Sequence, residues 1–267
     1  MTAPHALRAL AGITRREFLK LVGQSGRLAS AIVRPLVWLG LFGAGFRSVL
    51  GLSIIPPYET YILYEVYIVP GLAAMMLLFH AFQGSLSMVY DREMGSMRVL
   101  LTAPLPRWWL LTARLVANTL AVVPLVYLFL LIARVWDVRP PALGYVAVLP
   151  ALLLAGMMLG ALGLLLSSFI RQLENFAGVM NFAIFPMFFA STALYPLWRL
   201  DEVSPTLAWL ALLNPFTHAV EMIRFALYLR SDPLAIAVCG VTLVLGLTLA
   251  AFSYDPGRGF WAHRRAD

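Results

Sequence analysis

Long apolar runs separated by short polar, mostly basic stretches dominate the chain. Six of them, at 29–50, 66–88, 110–133, 143–168, 176–198 and 233–254, have the length at which a helix rising about 1.5 Å per residue crosses a hydrocarbon core about 30 Å thick. A further run, 205–230, is interrupted by Asn214-Pro215 and carries His218, Glu221 and Arg224. It predicts two short helices, external or re-entrant, instead of a span. Before the first span, Leu7, Leu10, Phe18, Leu21 and Val22 share one helical face, with Arg16, Lys20 and Arg27 opposite. This is the pattern of a helix lying along a membrane surface. The same stretch lacks the uninterrupted apolar core of a secretory signal peptide, so none is expected there. The pattern therefore predicts an all-α, polytopic membrane protein with six transmembrane helices. It forms a single transmembrane domain over 1–267, with an interface helix at 1–28, a cytoplasmic loop at 89–107 and a hairpin at 199–232.

Composition sharpens this picture. Of 267 residues, 61% are hydrophobic and 12% charged, against about 45–50% and about 25% in an ordinary globular domain. The net charge of +7 comes from 19 arginines and Lys20 set against 13 acidic residues. These cations flank apolar runs instead of clustering on one face, which excludes a nucleic-acid surface and suits lipid headgroups. With the N-terminus inside, one side collects Arg8, Arg15, Arg16, Lys20, Arg27, Arg92, Arg98, Arg107, Arg114, Arg171, Arg258, Arg264 and Arg265. The other collects Arg47, Arg134, Arg139, Arg199, Arg224 and Arg230. Thirteen against six predicts both termini in the cytoplasm. Cys239 is the single cysteine, which leaves no disulfide framework.

The least membrane-like stretch joins the second and third spans. Met94, Met97 and Leu101 recur at i, i+3 and i+7 and predict a short helix with one apolar stripe. Asp91, Arg92, Glu93 and Arg98 add charges of both signs, and Gly95 permits close approach of another backbone. Pro104 and Pro106 end this helix, and Trp108-Trp109 anchor the next span. Such a helix, in a chain with no soluble domain, points to a docked partner. Elsewhere, His80 and Gln83 lie one turn apart inside the second span, as pathway groups or as packing hydrogen bonds. Arg34 either snorkels to the interface or lines a pathway. His218, Glu221 and Arg224, three apart, predict an ion pair of Glu221 with Arg224 or His218 that holds the hairpin, and a charge swap of Glu221 and Arg224 is expected to restore part of the function. No further ligand completes a metal site around His218 and Glu221. No catalytic residues are expected, since zinc-protease and nucleophile-elbow motifs are missing.

Two groups of residues carry a family resemblance. Glu93 and Gly95 followed by Val99-Leu100-Leu101-Thr102-Ala103-Pro104 resemble the coupling-helix region of type 2 ABC export permeases. Pro186, Ser191 and Leu194-Tyr195-Pro196-Leu197, then Leu213-Asn214-Pro215-Phe216-Thr217-His218-Ala219-Val220-Glu221 and Arg224, resemble that family's fifth-span end and returning external hairpin. The resemblance extends over nearly the whole chain. It implies the permease subunit of an ATP-driven exporter in the bacterial inner membrane, paired with a second permease subunit as a homodimer. Each copy would bind one ABC ATPase subunit, two in all, through Asp91, Arg92, Glu93, Met94, Gly95, Met97, Arg98 and Leu101. Lys20 is the only lysine, so the chain has no phosphate loop and no cofactor of its own. ATP and magnesium are expected on the partner. The short external segment leaves amphipathic, glycan, lipid-linked and drug-like cargo open. The alternative is an ion-coupled secondary transporter, against which stands the lack of matching half-repeats.

Overall fold

Apolar sequence in a membrane has to satisfy its own backbone hydrogen bonds, and helices do so within one segment. The computed structural model describes residues 3–46, 55–93, 106–170 and 172–253. Among these, ten α-helices dominate, with 84% of the residues helical, and no strand occurs. They are α1 (Ala3–Gly23), α2 (Ser25–Phe46), α3 (Tyr64–Glu93), α4 (Arg107–Ile132), α5 (Gly144–Phe169), α6 (Leu173–Phe189), α7 (Leu197–Val203), α8 (Pro205–Leu213), α9 (Pro215–Leu227) and α10 (Pro233–Ser253). A 3₁₀ turn, Ala133–Trp136, prolongs α4.

Four stretches are long and apolar enough to cross a bilayer: Tyr64–Tyr90, Trp108–Trp136, Gly144–Phe169 and Pro233–Ser253. Two more, Leu28–Gly43 and Leu173–Phe189, are apolar but shorter. This corrects the expected fifth span, 176–198. Its helix stops at Phe189, and residues 190–196 form a turn. The hairpin also contains one helix more than expected, because α7 precedes the pair divided at Asn214.

The central element is α3, which α5, α4, α2, α9 and α6 all touch. Its buried face includes Tyr64, Tyr67, Ile68, Leu72 and Met75. Against it α5 packs closely and also carries α10 and α9 on its other sides. Small residues set these distances. A Cβ on Gly156 would stand 2.5 Å from the Thr119 methyl of α4, and one on Gly160 2.7 Å from Leu115, so the two glycines admit α4 at a separation larger residues forbid. At the edge, α1 lies on α4 and touches α2. Its apolar side is divided: Leu21 is in the core, whereas Leu7, Phe18 and Val22 face outward. Both α2 and α6 attach chiefly through α3. Outward on α6 stand Phe182, Phe185 and Phe189.

Candidate functional site

Among the described residues, polar groups gather at two places in this apolar bundle, one at the start of α3 and one about its middle. The first surrounds the turn after α6. Pro186, three residues before the helix ends, cannot donate its own N–H, and the chain leaves helical geometry at Ala190. Ser191 donates to the Phe188 carbonyl (2.6 Å) and accepts from the Ala193 N–H (3.2 Å), which tightens the turn. Carbonyls released by the break would be costly in an apolar interior unless a donor reached each of them. Four side chains supply donors. Tyr64 donates to Leu194 O (3.0 Å), Tyr67 to Thr192 O (2.9 Å), and the Asn214 amide to both Met187 O and Ala190 O (2.7 Å each). The fourth is Arg224, which donates to Thr192 O at 2.9 Å and to Tyr67 O at 3.5 Å.

Arg224 is wholly buried, with its guanidinium 4.0 Å from the centre of the Tyr67 ring. One turn earlier on α9, Glu221 accepts an ion-paired hydrogen bond from it. The two ends of this pair differ: the Arg224 side chain is 2% exposed and that of Glu221 is 21% exposed. Asn214 has a second task, since its Oδ1 accepts from Phe216 N (3.0 Å) and caps α9, with Pro215 at the first helical position. His218 turns away from Glu221, and its Nε2 meets Leu212 O at 2.9 Å. Of the two partners open to Glu221, the structure brings Arg224. The same geometry bears on the charge-swap rescue expected from the sequence. Two carbonyl oxygens face the head of residue 224, so a carboxylate placed there would meet acceptors instead of donors.

The second place lies between α1, α2 and α3. Arg34, His80 and Gln83 line one cleft with Ser30, Met75 and Phe79, enclosing about 20 Å³. Arg34 projects from α2 with its guanidinium carbon 4.1 Å from the centre of the Phe79 ring. His80 is buried and Gln83 half-buried. Below this cleft, toward the end of α3, Glu17, Ser87, Arg114 and Asn118 line a second small cavity. There Arg114 donates to Ser87 (3.1 Å) and Asn118 to His80 O (3.4 Å), joining α4 to α3. Of the third group read from the sequence, Asp91, Arg92 and Glu93 form the last residues of α3. Their side chains, and Met94, Gly95, Met97, Arg98 and Leu101 altogether, lie outside the described residues.

Tyr64 and Tyr67 are the members of the first cluster that sequence reasoning missed. Their signal was available: two tyrosines three apart at the head of a span put two hydroxyls on one face. Among the described residues no group of three or more acidic, histidine or cysteine side chains converges as a metal site would require.

A bundle of long apolar helices with its polar side chains turned inward defines a multi-pass membrane protein. Residues 8–228 match the model of the ABC-2 type transporter family, and the chain belongs to that family of membrane permeases. It is 29% identical over 229 residues to "Putative transport permease ycf38" of Cyanophora paradoxa, covering 82% of this chain and 74% of that protein. The protein with the same description in Porphyra purpurea is 27% identical over 233 residues, 85% of this chain and 76% of the relative. A further relative, "Probable multidrug ABC transporter permease YbhR" of Escherichia coli (strain K12), is 28% identical over 176 residues. That match spans 65% of this chain and 46% of the relative.

Proposed function

We propose that the chain is the membrane subunit of an ATP-driven exporter. In this reading it crosses the cytoplasmic membrane six times, with α2 and α6 as the two shorter crossings and both termini inside. Residues 90–103 dock on a separate ABC ATPase that carries the ATP and magnesium, one ATPase to each copy of the permease in a homodimer. The cargo is amphipathic. The observation that carries this reading is the family match across residues 8–228, because association with an ABC ATPase is what that family implies.

The placement of the helices supports the same reading. The segment between Glu93 and Arg107 joins the two helices that meet α1 and each other at the Arg114–Ser87 contact. A push on that segment would therefore reach three helices at once. Met94, Met97 and Leu101 would fill the ATPase groove, with Glu93 and Arg98 on its rim and Gly95 at the closest approach. Asn214, Pro215, His218, Glu221 and Arg224 would close the outer face of the bundle.

The test is co-purification from membranes. The tagged chain should retain an ABC ATPase and vanadate-sensitive ATP hydrolysis. Glu93→Arg and Gly95→Pro should each lose both while inserting into the membrane at parental levels. Retention of the ATPase by both variants would remove residues 90–103 from the coupling role.

A further inference from the structure

We infer that the cleft between α2 and α3 binds the acidic group, a phosphate or a carboxylate, of an amphipathic molecule, with Arg34 as its counter-charge. Arg34 stands six residues inside the apolar stretch Leu28–Gly43. Its head is not at the bilayer edge. Phe79, which it covers, is 15 residues from Tyr64 and 11 from Tyr90 on the same span, or about 22 Å and about 16 Å along the helix. A snorkelling arginine would extend away from that ring toward the headgroups. Here the guanidinium is instead held at hydrocarbon depth by the face of an aromatic ring.

Among the described residues no carboxylate comes within ion-pair distance of Arg34, and none of the residues lining the cleft is acidic. Arg34 is half-buried, and Arg224, the wholly buried arginine of the same bundle, shows what a compensated charge looks like: a carboxylate and two carbonyls surround it. An arginine lacking these carries a substantial penalty in a membrane, and such residues mark ligand or ion pathways. An oxyanion answers the charge directly, because the planar fork of a guanidinium matches two oxygens at once. His80 and Gln83 stand on the adjoining turn of α3 and complete a polar wall, while Met75, Met76 and Phe79 line the apolar remainder. The wall thus has a charged part and an oily part, which fits an amphiphile better than a free ion. At about 20 Å³, the cleft holds one water and not a headgroup, so binding parts α2 from α3. The packing permits this, because α2 attaches to the bundle chiefly through α3.

The step from bound amphiphile to exported cargo rests on the function proposed above. The binding itself needs no ATPase, so its measurement stands apart from the co-purification test. Purified chain is reconstituted in nanodiscs, and native mass spectrometry follows retention of phosphatidylglycerol against phosphatidylcholine. The parent should hold one phosphatidylglycerol about tenfold more tightly than phosphatidylcholine, the scale of one favourable charge contact. Arg34→Gln should abolish that preference and Arg34→Lys should recover part of it. Arg15→Gln, on the outer side of α1, should leave it unchanged. Arg34→Gln should also melt no lower than the parent, since it removes a half-buried charge that no carboxylate answers.

Equal retention of the two lipids by the parent, or an unchanged preference in Arg34→Gln, would overturn the inference. A lower melting temperature for Arg34→Gln would make Arg34 a structural residue and overturn it as well. Displacement of the lipid by excess inorganic phosphate would give the cleft to a free oxyanion instead of an amphiphile.

Discussion

The unequal burial of Glu221 and Arg224 predicts an order of effects that a simple ion-pair count would not. In Glu221→Gln the guanidinium remains wholly buried with no counter-charge, facing two carbonyls, the Tyr67 ring and a neutral amide. Breaking a buried pair in this way costs about 3–5 kcal/mol. In Arg224→Met the charge left behind is that of Glu221, whose side chain is already a fifth exposed and can be hydrated. Thr192 O keeps its bond from Tyr67, so the loss falls to about 2–3 kcal/mol. The double variant removes both charges and should cost less than the sum of the singles by about 1–3 kcal/mol. For a chain of this size each kcal/mol corresponds to about 2–4 °C in melting temperature. Thermal unfolding of all four proteins in one detergent, followed by tryptophan fluorescence, should place Glu221→Gln lowest, Arg224→Met above it and the parent highest. If Arg224→Met melted lower than Glu221→Gln, or if the two effects simply added, the burial argument would be wrong.

Further outcomes concern the same turn and the topology. A Cβ on Gly71 would overlap the Ala193 carbonyl, so Gly71→Ala should force α3 away from the turn and cost about 1–3 kcal/mol in the same melting assay. Tyr67→Phe keeps the ring under Arg224 but loses one hydrogen bond to Thr192 O, and should cost about 1 kcal/mol. On a Cys239→Ala background, an impermeant thiol reagent applied from outside should modify cysteines placed at Pro140 and Asp201 and spare one at Ser96. Modification at Ser96 would invert the map.

What the sequence revealed follows from which signals are local. The apolar runs and the Asn214-Pro215 break were readable because run length and a capping Asn-Pro pair act within a few residues of themselves. The early end of α6 was not. Only Ser191, Thr192 and Pro196 interrupt the run from Phe189 through Leu197, and the donors that answer the carbonyls freed there sit on α3 and α9, up to 130 residues distant along the chain. The choice of Arg224 over His218 as partner of Glu221 was equally hidden. Both stand three residues from it, and only the carbonyls of Thr192 and Tyr67 separate the two. The grouping of Arg34 with His80 and Gln83 needed the packing of α2 on α3, which no spacing within either helix encodes.

The brevity of α6 has a consequence for the surrounding lipid. Its 17 residues give an apolar wall about 25 Å high beside a hydrocarbon layer of about 30 Å. In the six-crossing reading proposed above, the leaflets beside α6 pinch inward by about 5 Å, or something other than lipid covers Phe182, Phe185 and Phe189. At a fraction of a kcal/mol per Å, this mismatch amounts to about 1–2 kcal/mol. It grows in a thicker bilayer and vanishes in a thinner one. The Phe185 ring stands 6.5 Å from that of Phe79, so the thinned zone adjoins the Arg34 cleft. A headgroup drawn toward Arg34 from that side would have less oil to cross than beside the longer spans. Acyl-chain length in the host membrane thereby becomes a control on how readily polar matter reaches the interior of this bundle.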